Sequence, residues 1–366
     1  MTSPLPGIGL NNILTIAYYL FFFVFVFYGG RVQSFFWLNS IGRSLGRLES
    51  MKTKARDGVV AYFKSKGAPS NVGERVDRLV DYVTIMPVDL DPKGIVQKIG
   101  HIAETSDERA RGEIRGMLAG ADAVSASIAQ NLLELATGLN MIHKVVRHYY
   151  LVGKKGNGMM TIMQLQMSLP HIMQQAKAMS SAMDSLQTGT PIGDGVGPLV
   201  ASRLLAGAPT QVVAKDTVVG TTVFEGRTLY VMKAEGPMGY VGQPGVAMQR
   251  VVEEMKVPLK AIVMVDAAAK LEGEGTGDVA EGVGAAIGGL GVEKFEIEEV
   301  ATKHDIPVYA VLVKQGDLDV MATMNKEIAD GADRAVELVK RIVRDRTNEG
   351  ESVLVAGIGN TLGVGQ

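Results

Sequence analysis

Three textures of apolar and polar positions follow one another along the chain. Residues 1 to 30 carry no charge, and Ile13 to Tyr28 is an apolar and aromatic run. With its flanks it reaches the ~20 residues that cross ~30 Å of hydrocarbon. No basic stretch precedes it and no small-x-small site follows, so it reads as a retained anchor, not a cleaved leader. From Leu38 to Tyr62 apolar side chains recur at Leu38, Ile41, Leu45, Leu48, Ala55, Val59 and Tyr62, the spacing of a helix with one sticky seam. Gly67-Ala-Pro69 breaks it. Between Asn71 and Gln187 the pattern stays helical, interrupted by a turn at Pro87 to Pro92, with no strand-like alternation.

After Gln187 short β-branched runs alternate with helical stretches, and glycine becomes frequent. Strands are expected at Val212 to Val219, Leu229 to Met232, Ala261 to Val265, Val308 to Val313 and Ser352 to Ala356, with a hairpin around Glu225-Gly226. Helices are expected at Leu199 to Leu205, Val246 to Met255, Ala267 to Leu271, Phe295 to Lys303 and Met321 to Arg346. The fold class is one transmembrane helix, an all-α domain, and an α/β domain with a mostly parallel or mixed sheet flanked by helices. The divisions are 1–30 (anchor), 31–67 (basic juxtamembrane helix), 68–187 (helical domain) and 188–366 (α/β domain).

Charge and composition narrow the partners. A formal net charge of −2 gives no reason to expect nucleic acid. The absence of cysteine excludes disulfides, iron–sulfur clusters and thiol nucleophiles. Behind the uncharged run stand Arg31, Arg43, Arg47, Lys52, Lys54, Arg56, Lys64 and Lys66 against Glu49 and Asp57. Positive-inside reasoning puts the amino terminus outside a cell membrane crossed once and the bulk of the chain in the cytoplasm, with lipid met through residues 10–29. The seam over 38–62 either assembles copies of the chain or packs on its own domain. The methionines from Met159 to Met183 form either a plastic partner groove or ordinary core. Asp89 and Asp91 are either ligands to a divalent ion or solvated turn residues.

Two glycine turns carry the candidate chemistry. Gly357-Ile-Gly-Asn-Thr-Leu-Gly363 follows the apolar strand Ser352 to Ala356 but opens no helix. Thr190-Pro-Ile-Gly-Asp-Gly-Val-Gly-Pro198 opens a helix but follows no strand. They read as halves of one site. If Ser352 to Ala356 lies parallel to Ala261 to Val265, its turn arrives beside Asp266, and Asp194 arrives with it. Two adjacent carboxylates split their pKa values into one acid and one base, the apparatus for activating water toward a peptide or ester carbonyl. Glycines 193, 195, 197, 288, 289, 357 and 359, with Asn360, let backbone N–H groups approach an oxyanion. A divalent metal, if one is held, takes Asp194 and Asp266 with Glu272 or Glu274; two carboxylates working without metal is the simpler expectation. A helix cap is the plain alternative for each Asp.

Val353-Leu-Val-Ala-Gly-Ile-Gly-Asn360 and Thr190-Pro-Ile-Gly-Asp-Gly-Val-Gly-Pro-Leu-Val200 resemble the two halves of one continuous motif in the superfamily of spore germination proteases and hydrogenase maturation proteases. Their order here is reversed. The resemblance extends through Gly242-Gln-Pro-Gly-Val-Ala-Met-Gln249, Ile262-Val-Met-Val-Asp-Ala267, Gly288 to Lys294 and Ile306 to Val311, and covers residues 188 to 366. It implies a circularly permuted domain whose first strand stands at the carboxyl end, with Asp194 and Asp266 at the places of the family's two acids. The hydrogenase-type histidine would fall near Gly289, where this chain has none. The whole chain also resembles an archaeal family of membrane-anchored proteins of about this length, from which no activity carries over. The resulting expectation is a membrane-anchored, cytoplasm-facing hydrolase, endopeptidase-like, working on a protein or peptide. Its rival is a non-catalytic membrane scaffold that binds a peptide or partner through a protease-like fold.

Overall fold

The computed structural model describes residues 10–85 and 94–365. Asp89 and Asp91 lie outside the described residues. The chain divides into two compact units, Met1–Ser50 with Met141–Met173 and Met51–Asn140 with Gln174–Gln366.

The amino-terminal half is helical. Helix α1 (Leu10–Ser65) runs unbroken for 56 residues and is followed by α2 (Val72–Val80), α3 (Ile95–Met117), α4 (Ala123–Val152) and α5 (Met159–Thr188). Among the described residues no helix is long and apolar enough to cross a membrane, which overturns the transmembrane anchor over residues 1–30. The seam that was open to two readings is covered by the chain itself: Ile41, Leu48, Ala55 and Val59 are all buried. Met173 and Met183 are core, whereas Met159, Met160 and Met167 are exposed.

The carboxy-terminal half is a seven-stranded mixed sheet, ordered β1 (Thr210–Ala214), β2 (Thr217–Phe224), β3 (Arg227–Ala234), β7 (Ser352–Gly357), β4 (Leu259–Ala269), β6 (Val308–Gln315), β5 (Val279–Val283). The four middle strands, β3, β7, β4 and β6, are parallel, and antiparallel partners close both sides. The last strand in the chain is therefore central. Val353, Leu354, Val355 and Ala356 are completely buried, as a continuous apolar run covered on both faces should be.

Alternation along the strands sorts the core into two layers. Val353, Val355, Val263 and Val265 face one cluster with α6 (Val196–Leu205) and α10 (Lys326–Arg346). Leu354, Ala356, Ile262 and Met264 face the other with α7 (Pro244–Gln249) and α8 (Val292–Lys303). Helix α10 earns its place by spacing: Ile328, Ala332, Ala335, Val339, Ile342 and Val343 share its buried face, and the Asn325 side chain caps it by accepting from the Ile328 N–H at 2.9 Å.

Three expected elements come out differently. The strand expected over Val212 to Val219 is two, β1 and β2, which pair antiparallel across a turn at Lys215-Asp216, where Asp216 takes a positive φ of 52°. The helix expected over Ala267 to Leu271 is strand: β4 continues to Ala269 because β6 pairs with it as far as Ala269↔Gln315. The helix expected over Met321 to Arg346 begins only at Lys326 (α10), after a short α9 (Asp317–Met321), because the intervening residues bind the Pro191–Gly193 segment. Thr323 bridges to Ile192, the Gly193 N–H donates to the Ala322 carbonyl at 3.1 Å, and the Met324 N–H donates to the Pro191 carbonyl at 2.8 Å.

Candidate functional site

Pairing between β4 and β7 ends at Val265↔Gly357, and the chain after β7 turns away while β4 runs on. Asp266 is the first residue of β4 past that point. The Ile358 N–H still reaches the Val265 carbonyl at 2.8 Å, which pins the turn against the strand. Asp194 comes from a 3-10 turn, Gly193–Gly195, that leads directly into α6. Its Oδ2 accepts the Asn360 backbone N–H at 2.8 Å, so the two sequence-distant glycine turns do meet.

Glycine permits this meeting at two places above all. A Cβ on Gly197 would stand 2.2 Å from the Ile358 carbonyl oxygen and 2.4 Å from that of Val265. Gly359, at φ +131°, would place one 2.0 Å from the Asp194 carbonyl oxygen. Gly193, Gly195, Gly197 and Gly357 serve this close packing and do not line the cavity described next; Gly359, Asn360, Gly288 and Gly289 do line it.

Asp194 and Asp266 share one cavity of about 970 Å³ over the strand ends. Burial, then the charge of Asp194, pushes the Asp266 carboxyl up to about 8 against the opposing Ala267 N–H, which donates to its Oδ1 at 2.8 Å. Burial also raises Asp194, but the Asn360 N–H pulls the other way and favours its ionised form. Each carboxyl is thus raised by burial and opposed by one backbone N–H, and the asymmetry between them is the charge of Asp194, which raises Asp266 further. Gly359 lines the same cavity, and its N–H has no partner among the described residues.

The rest of the wall comes from residues that carried no signal in the sequence. Helices α3 and α4 contribute Asp107, Arg111, Gln130, Asn131 and Glu134. Arg111 grips Asp216 with both terminal nitrogens, at 3.2 and 2.6 Å, reaches Asp107 at 2.9 Å, and lies 4.4 Å from the Tyr240 ring centre. Lys215 adds a 3.0 Å contact to Asp107. Burial alone would raise Asp107, but Lys215, Arg111 and Gln130 outweigh it and hold the carboxyl low. Asn131 ties the Asn360 side chain, whose Nδ2 donates to its Oδ1 at 2.9 Å. Glu134 is open to water from within the cavity yet ringed by protein, and burial raises it against its Gln130 contact. A second acidic pair sits on the first turns of α8: Glu293, pushed up to about 7 by burial and by Glu296 while its Oε2 accepts the Gly245 N–H at 2.6 Å, and Glu296, raised by burial. Their i,i+3 spacing, behind Gly288 to Gly291, was the one legible hint of this part of the wall.

The metal arrangement with a third acid does not form. Glu274 sits outside the cavity, accepting the Leu271 N–H at 2.7 Å and lying 3.5 Å from Lys314, and Glu272 is not in the wall. Among the described residues no three His, Asp or Glu side chains are grouped to hold an ion.

These features define an α/β domain with a central parallel core, its last strand in the middle, and a half-buried carboxylate pair beyond the strand ends. Residues 192–365 match the family model described as the C-terminal domain of unknown function DUF1512, and residues 15–189 match its N-terminal counterpart. The chain belongs to the DUF1512 family. No curated protein matches it. Neither match speaks of a protease.

Proposed function

We propose that the α/β domain is a hydrolase of the two-carboxylate kind that cleaves a peptide-type carbonyl in a protein or peptide substrate. The observation that carries this reading is the shared cavity of Asp194 and Asp266, two carboxyls both raised by burial, with the charge of Asp194 adding to the rise at Asp266. Asp194 takes a proton from water as the oxygen attacks the carbonyl carbon. Asp266 gives its proton to the amide nitrogen as the carbon–nitrogen bond breaks. The Gly359 N–H, in the wall of the same cavity, supports the developing oxyanion. The likeness of both glycine turns to the spore germination and hydrogenase maturation proteases supports the same reading, in a permuted order.

The test is a proteomic comparison of new peptide termini produced by the wild-type chain, Asp194→Asn and Asp266→Asn. Each variant should lose cleavage by ~100-fold or more, the scale of a general acid or base. Wild-type turnover should decline as pH rises through about 8, where Asp266 gives up its proton. Identical termini from all three proteins would remove the proposal.

A further inference from the structure

The smaller compact unit, Met1–Ser50 with Met141–Met173, takes no part in the carboxylate site. Its described surface leaves large apolar side chains open to solvent: Phe35 is 68% exposed, Phe36 64%, Met160 63% and Met167 75%. Its charge is as one-sided. Arg31, Arg43, Arg47, Lys144, Arg147, Lys154 and Lys155 stand against Glu49 alone, and Glu49 lies 2.7 Å from His143.

Helical spacing puts rings and cations in one line. At 100° per residue Tyr18, Phe22, Phe36, Arg43 and Arg47 fall within one narrow stripe of α1, and all five are exposed. On α4, Met141, Lys144, Val145, His148 and Val152 share an exposed stripe in the same way. A second copy of the chain would bring like charges together on such a face. A surface with an apolar layer beneath negative headgroups complements both features at once.

We propose that this unit docks on a lipid surface rich in anionic headgroups, its rings and methionines in the interfacial layer and its cations at the phosphates. The contact is interfacial, and it is independent of the carboxylate chemistry. Each basic residue close to such a surface strengthens partitioning about five-fold.

The experiment is flotation of the full-length chain, synthesised in a cell-free system with preformed vesicles of phosphatidylcholine alone or mixed with phosphatidylglycerol. Flotation should be on the order of ten-fold stronger with the anionic vesicles and should weaken as salt is raised. Two independent variants, Arg43→Gln with Arg47→Gln and Lys154→Gln with Lys155→Gln, should each lose on the order of ten-fold. Asp266→Asn should float like wild type. Equal flotation on neutral and anionic vesicles, or a chain that ignores both and self-associates instead, would overturn the proposal.

Discussion

Asp266→Asn should stabilise the protein, and the gain should grow with pH. The folded chain holds the Asp266 proton to about 8, whereas an unfolded chain releases it near 3.8. Between those values the native state binds one more proton than the unfolded state, so stability falls as pH rises. The full linkage is ~1.4 kcal/mol per pH unit, or ~4 kcal/mol between about pH 5 and pH 8. Asp266 is half-buried and reachable from the cavity, so solvent screening reduces this to roughly 2 kcal/mol. Asparagine keeps the shape and cannot ionise, and its presence removes the like charge that Asp194 now opposes. The measurement is urea unfolding of wild type and variant across that pH range. The difference between the two curves isolates Asp266, with its coupling to Asp194, from Glu134, Glu293 and Glu296, whose raised pKa values tilt both proteins alike. A difference that stays constant with pH would show that the carboxyl is not held protonated by the fold, and the acid role would fall with it.

Lys233 offers a second linkage of the opposite sign. It is 2% exposed, its Nζ donates to the Ala234 carbonyl at 3.0 Å, and burial pulls its pKa down to about 8. Lys233→Met should raise stability by ~1–3 kcal/mol at neutral pH, where the folded state carries a buried charge, and the gain should fade as pH climbs from about 8 past 10. Thermal unfolding at two pH values checks it, and a gain that persists at high pH counts against the buried charge. Gly197→Ala should cost more than ~3 kcal/mol and reduce soluble yield, because its Cβ would meet two backbone carbonyls at 2.2 and 2.4 Å. Gly46→Ala, inside α1 with nothing within 4 Å, should stabilise by up to ~1 kcal/mol. Equal effects from the two glycines would refute the close packing of the turn on the strand.

Local pattern was enough for part of this molecule. The helical texture before Gln187, the α/β texture after it, the hairpin at Glu225-Gly226 and the apolar strand before Gly357 all follow from periodicity and turn chemistry acting over a few residues. An interior place for β7 was legible because a continuous apolar run suits a strand covered on both faces, but β3 as its second neighbour was not. Where local and long-range demands conflict, pattern failed. Ala267 to Ala269 have helical propensity, yet the β6 ladder holds them as strand. Met321 to Asn325 continue an apolar helical pattern, yet the Pro191 and Gly193 backbone groups take their hydrogen bonds.

For the site the division is sharper. Asp194 and Asp266 could be named from glycine turns and a strand end, since those motifs are local. The meeting of the Asn360 turn with Asp194 was also expected from them, whereas the supply of Arg111 and Glu134 by distant helices and the burial that raises Asp266 belong to the tertiary structure. A carboxyl's pKa depends on how much water and which charges surround it, and neither is written in the residues beside it in the chain. The sequence by itself determined which groups are available; packing alone decided which of them are dry, adjacent and able to act together.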